Sequence, residues 1–402
     1  MSERPQSGPE CTVGDICTAM ESIAPTGLAQ SWDNVGLLAG DPSAPVQHVL
    51  ACIDLTPAVV EEAVREKVDL VLAYHPPIFK PISKVRADGS GTEAIVFRCI
   101  QNGIAVYATH TALDAADGGT NDVIASLCGV EDTAPIEYVD EPSVSECKLV
   151  VFVPPDNVET VADAMFAAGA GQIGDYSRCS YRTSGQGTFF GGNTAKPTIG
   201  ERGRMEYADE IRLETVVAST ALPAVVSAMV KAHPYEEPAF DLYPLKPRPV
   251  RGIGRVGKLP RLTTLLKLVR KLKRATKIDN IQIIGPPDRT IDRAVIVVGA
   301  GVPHVFRRGD AILHAESGSP TSKEMGHPPF HIPLGPNDVI ITGEIRHHDA
   351  LTIQRIGCTA IALGHWASER PVLPSLAARL EAAVPGITLH ISSADDDPFQ
   401  AI

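Results

Sequence analysis

Short apolar runs alternate with amphipathic stretches through most of this 402-residue chain, and that alternation predicts its architecture. HVLACIDL reads as a buried strand. Thr56 then caps a helix, PAVVEEAVREKV, with Pro57 at its first position. VDLVLAYH is a second strand, TEAIVFRCIQNG a helix closed by glycine, and IAVYATH a third strand; another helix begins near Asn121. Strands that are apolar throughout and separated by helices belong to a mostly parallel sheet covered on both faces.

The pattern changes at about Cys147. KLVVFVPP and VETVADAMFAAGA read as strand and helix, and a glycine-rich region, SGQGTFFGGNTAKPTIGERG, follows. IRLETVVAST and PAVVSAMVKAH form a second strand–helix pair, and HPYEEPAFDLYPL closes the unit, with His233 assigned to its framework. Two β–α units with hairpin material between them predict a small ferredoxin-like α+β domain. KPRPVRGIGRVGKL reads as a linker and re-entry. Alternation then resumes with strands AVIVVGAG, NDVIITGE and CTAIALGH and helices HHDALTIQRIG and ERPVLPSLAARLEAA. The expected organisation is an α/β core in two parts, residues 1–146 and 251–402, interrupted by an insert at 147–250.

Three segments carry further expectations. KLPRLTTLLKLVRKLKRATK places eight basic residues between Lys258 and Lys277 and reads as an amphipathic helix with a solvated basic face. Residues 307–336, rich in Gly, Pro and Ser, read as a long surface loop. The acidic SSADDDPFQ is expected to fray. Gly252, Gly254 and Gly257 only loosely resemble a dinucleotide fingerprint, and no strand leads directly into a helix there, so that site is rejected.

Composition narrows the function. A net charge of −12 opposes non-specific nucleic-acid binding, which depends on neutralising phosphates. No run of about 18 apolar residues is present to suggest a membrane span. The opening MSERPQSGPE lacks the apolar core of a secretory signal, so a cytoplasmic protein is expected. The eight cysteines include no CxxC pair and read as reduced thiols rather than a metal cluster.

The chemistry sits where the apolar runs stop. VDLVLAYHPP ends on Tyr74-His75, IAVYATHTALD on His110 and Asp114, and CTAIALGHWASE on His365 and Glu369. Two of these repeat a histidine and, four positions on, a carboxylate, a spacing that puts both on one side of a helix's first turn. In an open α/β sheet, ligands collect beyond the carboxyl ends of the strands, and these imidazole and carboxylate donors suit Zn²⁺, Mn²⁺ or Fe²⁺. Taken singly, each histidine reads as a surface or capping residue, Asp114 as a helix cap and Glu369 as a first-turn acid favoured by the helix dipole. The shared strand-end setting argues for one metal site. Glu344, His347 and His348 end a fourth run, and Glu344 and His348 are the acid–base candidates. His304, His314, His327 and His331 lack strand-end placement and are not expected to be ligands.

WDNVGLLAGD, YHPPIF, THTALDAADGGTND, GIGRVG, ITGEIRHHDAL and LGHWASE, spread over residues 32–369, resemble the YbgI/YqfO family of dinuclear-metal hexameric proteins, the GTP cyclohydrolase 1 type 2 homologues. The resemblance implies a three-layer α/β core and makes the insert similar to the PII/CutA-like domain of the longer members, with HPYEEPAFDLYPL as its marker. It implies metal ligation by His75, Asp114, His365 and Glu369 with His110 adjacent, one or two ions per chain, and a homohexamer. Members commonly carry two histidines where this chain has Tyr74-His75. A tyrosine, with a reference pKa near 10, is a poorer ligand, so the second metal position is expected to be weaker. The implied activity is opening of the GTP imidazole ring by water. A metal-dependent phosphoesterase or nucleotidase, and a non-enzymatic metal-binding or regulatory scaffold, are the alternatives.

Overall fold

The computed structural model describes residues 11–89, 91–139, 146–245, 250–278, 280–306 and 334–399. The backbone separates into two compact units, Met1–Val139 with Pro249–Ile402, and Asp140–Arg248. In chain order the strands begin with β1 (Gly36–Ala39), β2 (His48–Cys52), β3 (Leu70–Ala73), β4 (Ala105–Ala108), β5 (Glu131–Ala134) and β6 (Glu137–Tyr138). The smaller unit holds β7 (Glu146–Val153), β8 (Tyr181–Phe190), β9 (Met205–Ala218) and β10 (Phe240–Leu245). The larger unit then continues with β11 (Gly252–Ile253), β12 (Arg255–Thr264), β13 (Gln282–Ile284), β14 (Thr290–Val297), β15 (Asp338–Thr342), β16 (Thr359–Ala362) and β17 (Thr388–Ile391).

The larger unit is an α/β core built on two sheets. One runs β1-β4-β3-β2-β17, parallel except for β1 at its edge. The other runs β13-β16-β15-β14-β12-β5, with β14, β15 and β16 parallel and the rest antiparallel. Alternate residues along each strand face opposite ways. Val49, Ala51, Leu70, Leu72, Ala105 and Tyr107 of the first sheet thus share one buried cluster with Val295, Val297, Ile340 and Ala360 of the second and with the helices Val13–Ile23 and Leu373–Ala383. The intervening residues Leu50, Cys52, Val71 and Val106 face the helices Pro57–Arg65 and Thr92–Gln101. Ala294, Ile296, Val339, Ile341 and Ile361 face the helices Thr120–Cys128 and Leu265–Thr276. Covering on both faces is why the central residues of these strands are apolar on both sides.

The smaller unit has the ferredoxin-like order β-α-β-β-α-β, with helices Val158–Ala167 and Leu222–Ala232 and an antiparallel sheet ordered β10-β7-β9-β8. His233 is buried here. Its Nε2 donates to the Phe152 carbonyl at 2.9 Å, and its Nδ1 accepts from the Tyr235 amide at 3.1 Å.

Three local expectations need correcting. The basic stretch is helical only over Leu265–Thr276. Its first part belongs to β12, which pairs with β14 on one side and β5 on the other, because β-branched Thr263 and Thr264 and the bulge spanning Pro260 favour an extended chain. The re-entry segment also pairs, as β11 against β6. The first half of the acidic C-terminal segment, residues 392–395, is anchored rather than frayed. Asp395 is buried and accepts from the Ile53 amide at 2.8 Å, the Trp366 indole at 3.1 Å and Arg370, while Glu62 takes the amides of Ser393 and Ala394 and the hydroxyls of Ser392 and Ser393. The loop read at 307–336 lies almost wholly outside the described residues, and His314, His327 and His331 with it.

Arg255 opens β12 and is almost fully buried. It clasps Asp122 through Nε at 2.5 Å and Nη2 at 2.7 Å, and donates to the carbonyls of Gly252, Gly254 and Ala116. Truncation to alanine strands a carboxylate and three carbonyls together. Arg255→Ala is expected to cost about 3 kcal/mol in chemical denaturation, and Arg255→Lys to recover only part, since an ammonium cannot span the same acceptors.

Candidate metal centre

The ends of β2, β3 and β4 lie in register, with Ala73 paired to both Cys52 and Ala108. The backbone ladder continues one step beyond them: Tyr74 N to Cys52 O at 2.8 Å, His75 N to Ile53 O at 2.9 Å, and His110 N to Tyr74 O at 2.9 Å. Asp54, His75 and His110 therefore leave the first sheet at one level. From the second sheet, Gly364 at φ +97° turns the chain beyond β16 into the short helix His365–Glu369. Only glycine adopts that angle without strain.

The Glu369 carboxylate lies between two imidazoles, its Oε2 3.2 Å from His75 Nε2 and its Oε1 3.3 Å from His365 Nε2. Ligand atoms of these three residues all fall within 4.8 Å of one another. Glu369 is 3% exposed, and its Oε2 completes no hydrogen bond. The proximity to His75 is a charge contact without the angle of a bond. Beside them Gly299, at φ +58°, leaves the space a side chain would take: a Cβ there would stand 2.4 Å from Glu369 Oε1 and 3.4 Å from His365 Nε2. Ser368 Oγ accepts from the Gly299 amide at 2.9 Å and donates to the His365 carbonyl at 2.8 Å, fixing that approach.

Carboxylates hold the far sides of the rings. His75 Nδ1 lies 2.9 Å from Asp54 Oδ1, and His110 Nδ1 lies 2.7 Å from Asp33 Oδ1. Asp33 also accepts from the amide and hydroxyl of Thr111. On a neutral ring, a carboxylate on Nδ1 sets the tautomer with a lone pair on Nε2, the arrangement by which proteins orient metal-ligating histidines. His365 Nδ1 has a longer partner, Glu344 Oε1 at 3.6 Å. The two nitrogens and the unsatisfied carboxylate oxygen, turned to one point with room beside them, fit a divalent ion.

His110 and Asp114 approach the group without joining the trio. The His110 ring is edge-on to His75, centroids 5.3 Å apart. Asp114 accepts from the Tyr74 hydroxyl at 2.5 Å. Burial and the charges of Asp114 and Glu369 push the Tyr74 phenol well above its usual range, so it acts as a donor that occupies one Asp114 oxygen. Burial lifts Asp114 itself to about 6, against the hydrogen bond from Tyr74. Burial opposes a charge on His75, but its contacts with Asp54 and Glu369 and the charges of both outweigh it and raise the ring to about 10 in the metal-free protein.

Of the sequence candidates, His75, His365 and Glu369 converge, with His110 and Asp114 adjoining. Glu344 is exposed at the rim. His348 is exposed on the helix His347–Ile356, edge-on to His347 with centroids 5.6 Å apart. His304 pairs with Glu137 at 2.8 Å, away from the trio's contacts. Sequence reasoning did not single out Asp33 and Asp54. Asp54 ends the HVLACID run and obeys the same strand-end rule as the histidines. Asp33 lies in a loop with no periodic signal.

A two-sheet α/β core with histidines and a carboxylate at aligned strand ends defines a protein with a possible metal site. The chain belongs to the Duf34/NIF3 (NGG1p interacting factor 3) family, whose sequence profile it matches over residues 11–309 and 336–398. It is 32% identical over 393 residues to a Bacillus subtilis protein named GTP cyclohydrolase 1 type 2 homolog, covering 96% of this chain and 97% of that one. A Mycobacterium tuberculosis protein of the same name is 35% identical over 364 residues, 89% of this chain and 88% of its own. Among solved structures, a Bacillus cereus protein related to NIF3 superposes with a TM-score of 0.68 at 30% identity, over 98% of this chain and 100% of that one. Staphylococcus aureus protein SA1388 gives 0.73 at 25% identity with the same coverage.

The His75 environment predicts a pH signature for the metal-free protein. Its folded pKa lies above the unfolded value of about 6.5, so its contribution to stability is complete below that pH and is lost as pH rises towards about 10. Thermal unfolding of wild type and His75→Gln between pH 6 and 10.5 checks this: the gap in midpoint should shrink across that window.

Proposed function

We propose that this protein is a metal-dependent hydrolase acting on a nucleotide, with His75, His365 and Glu369 as the first metal position and Asp114 and His110 contributing to a second. The observation that carries the reading is the buried Glu369 carboxylate, set between two imidazole nitrogens with one oxygen unsatisfied. A bound Zn²⁺, Mn²⁺ or Fe²⁺ would supply Lewis acidity for attack by water. The chain's own residues do the rest. Asp54 and Asp33 hold the His75 and His110 rings in place, and Tyr74 holds Asp114. Glu344, exposed 3.6 Å from His365, or His348 on the next helix would carry a proton between the centre and solvent. Because the Tyr74 hydroxyl engages Asp114, the second position is the weaker one. The names of the relatives support water-driven opening of the GTP imidazole ring as the reaction.

Elemental analysis and product assay together test this. Wild type should carry divalent metal; Glu369→Gln and His365→Ala should lose it, and Asp54→Asn should weaken it by about 10–100-fold through loss of ring orientation. Metal-loaded protein given GTP should release formate. Phosphate release would mark a phosphoesterase, and no turnover across a nucleotide panel a scaffold. Unchanged metal in Glu369→Gln would remove the site.

The family resemblance supports a homo-oligomer, a hexamer in particular. Light scattering should give a mass several times that of the 42.7 kDa chain, and a stable monomer would reject it.

A further inference from the structure

Two of the chain's large exposed apolar side chains stand at the edge of the metal centre. Trp32 is 55% exposed and Phe79 is 47% exposed, with ring centroids 5.9 Å apart and planes inclined at 63°. Both meet the His110 ring edge-on, Trp32 at 5.9 Å and Phe79 at 6.4 Å. His110 is in turn one ring away from His75, and His75 lies 5.4 Å from His365. An aromatic path therefore leads from solvent to the ligand trio.

The backbone that carries these rings is braced. Asp33, next to Trp32, is tied to His110 Nδ1 at 2.7 Å and to the Thr111 amide at 3.1 Å. Asn34 Nδ2 donates to the carbonyl of Ile78, the residue before Phe79, at 2.6 Å, joining the two loops directly. Pro76 and Pro77 restrict the chain between His75 and Phe79. Exposing two aromatic side chains gains nothing for the fold, and holding them by the same Asp33 that orients His110 couples their position to the centre. Rigid exposed π faces bind flat, π-rich rings by stacking and are indifferent to the phosphate or sugar beyond.

We propose that Trp32 and Phe79 form an aromatic platform for the planar heteroaromatic ring of the substrate, one ring stacking on its face and the other, inclined to the first, meeting its edge, beside His110 and with a further edge presented to the metal centre. This deepens the hydrolase reading and rests on it for the identity of the substrate, but ring binding is measurable without turnover. Nothing in the stacking contact requires the metal ion, so the two readings fail separately.

The test is saturation-transfer NMR and calorimetric titration of full-length protein with guanosine, GTP and ribose 5-phosphate, with and without added Zn²⁺. Guanosine and GTP should bind with ring protons saturated most strongly, and ribose 5-phosphate should lack any comparable signal. Trp32→Ala should weaken guanosine binding by about tenfold, the range of one base-stacking contact, with metal content unchanged; Phe79→Ala should do the same to a lesser degree, and Trp32→Phe should restore most of it. Wild-type affinity in a metal-replete Trp32→Ala variant, or absence of guanosine and GTP binding by wild type, would overturn the platform. A change in oligomer mass in Trp32→Ala without a change in guanosine affinity would also overturn it, and would assign the two rings to an interface between copies. Loss of metal binding by Glu369→Gln with guanosine binding intact supports the platform as a separate element.

Discussion

A carboxylate removed from water must find positive charge or hydrogen-bond donors, and Glu369 finds its two nearest nitrogens on different sheets. His75 comes from the end of β3 and His365 from the end of β16, so the compensation exists only when both sheets share their buried face. Much of the larger unit serves that meeting. Alternate residues of each strand fill the common core, the ladder carries on past the strand ends to hold Tyr74, His75 and His110, and Gly364 and Gly299 permit the close approach on the opposite side.

The histidines are arranged in depth. Asp54 and Asp33 address the Nδ1 atoms of His75 and His110, and Glu344 stands more loosely behind His365. The first two rings meet carboxylates in close contact, whereas Glu344 is open to solvent and stands farther from its ring. Tyr74 adds a different restraint. Its buried hydroxyl takes up Asp114, which leaves the trio as the most concentrated donor set among the described residues.

Much of this was legible in the sequence, for one reason. Strands covered on both faces must be apolar throughout, so a histidine or carboxylate after such a run marks its end, and parallel strands share their ends. That logic picked out His75, His365 and Glu369, which converge, and His110 and Asp114, which adjoin them, and it extends to Asp54. It has no purchase on Asp33, whose loop lacks periodicity, or on the pairing of Tyr74 with Asp114, which depends on two side chains meeting 40 positions apart. Composition misled at two places. The helical spacing of Leu265, Leu266, Val269 and Leu272 is met in the structure, yet the basic residues before them, read into the same helix, lie in a strand that completes a sheet. SSADDDPFQ looked like a solvated tail, yet Asp395 has an amide, an indole and a guanidinium as partners.

That last contact has a consequence for biogenesis. Asp395 ties the end of β2, beside Asp54, to Trp366, within the helix bearing His365 and Glu369, and to Arg370, just after it. The ribosome makes the first donor, His75, more than three hundred residues before this clasp. Until Glu369 is made the nascent chain carries an imidazole and its orienting aspartate with no opposing carboxylate, and until Asp395 is made it has no anchor for the second half of the centre. The pocket is thus complete only once Asp395 has been made, and replacing that one residue would retain every donor while removing the strut that keeps the two halves in register.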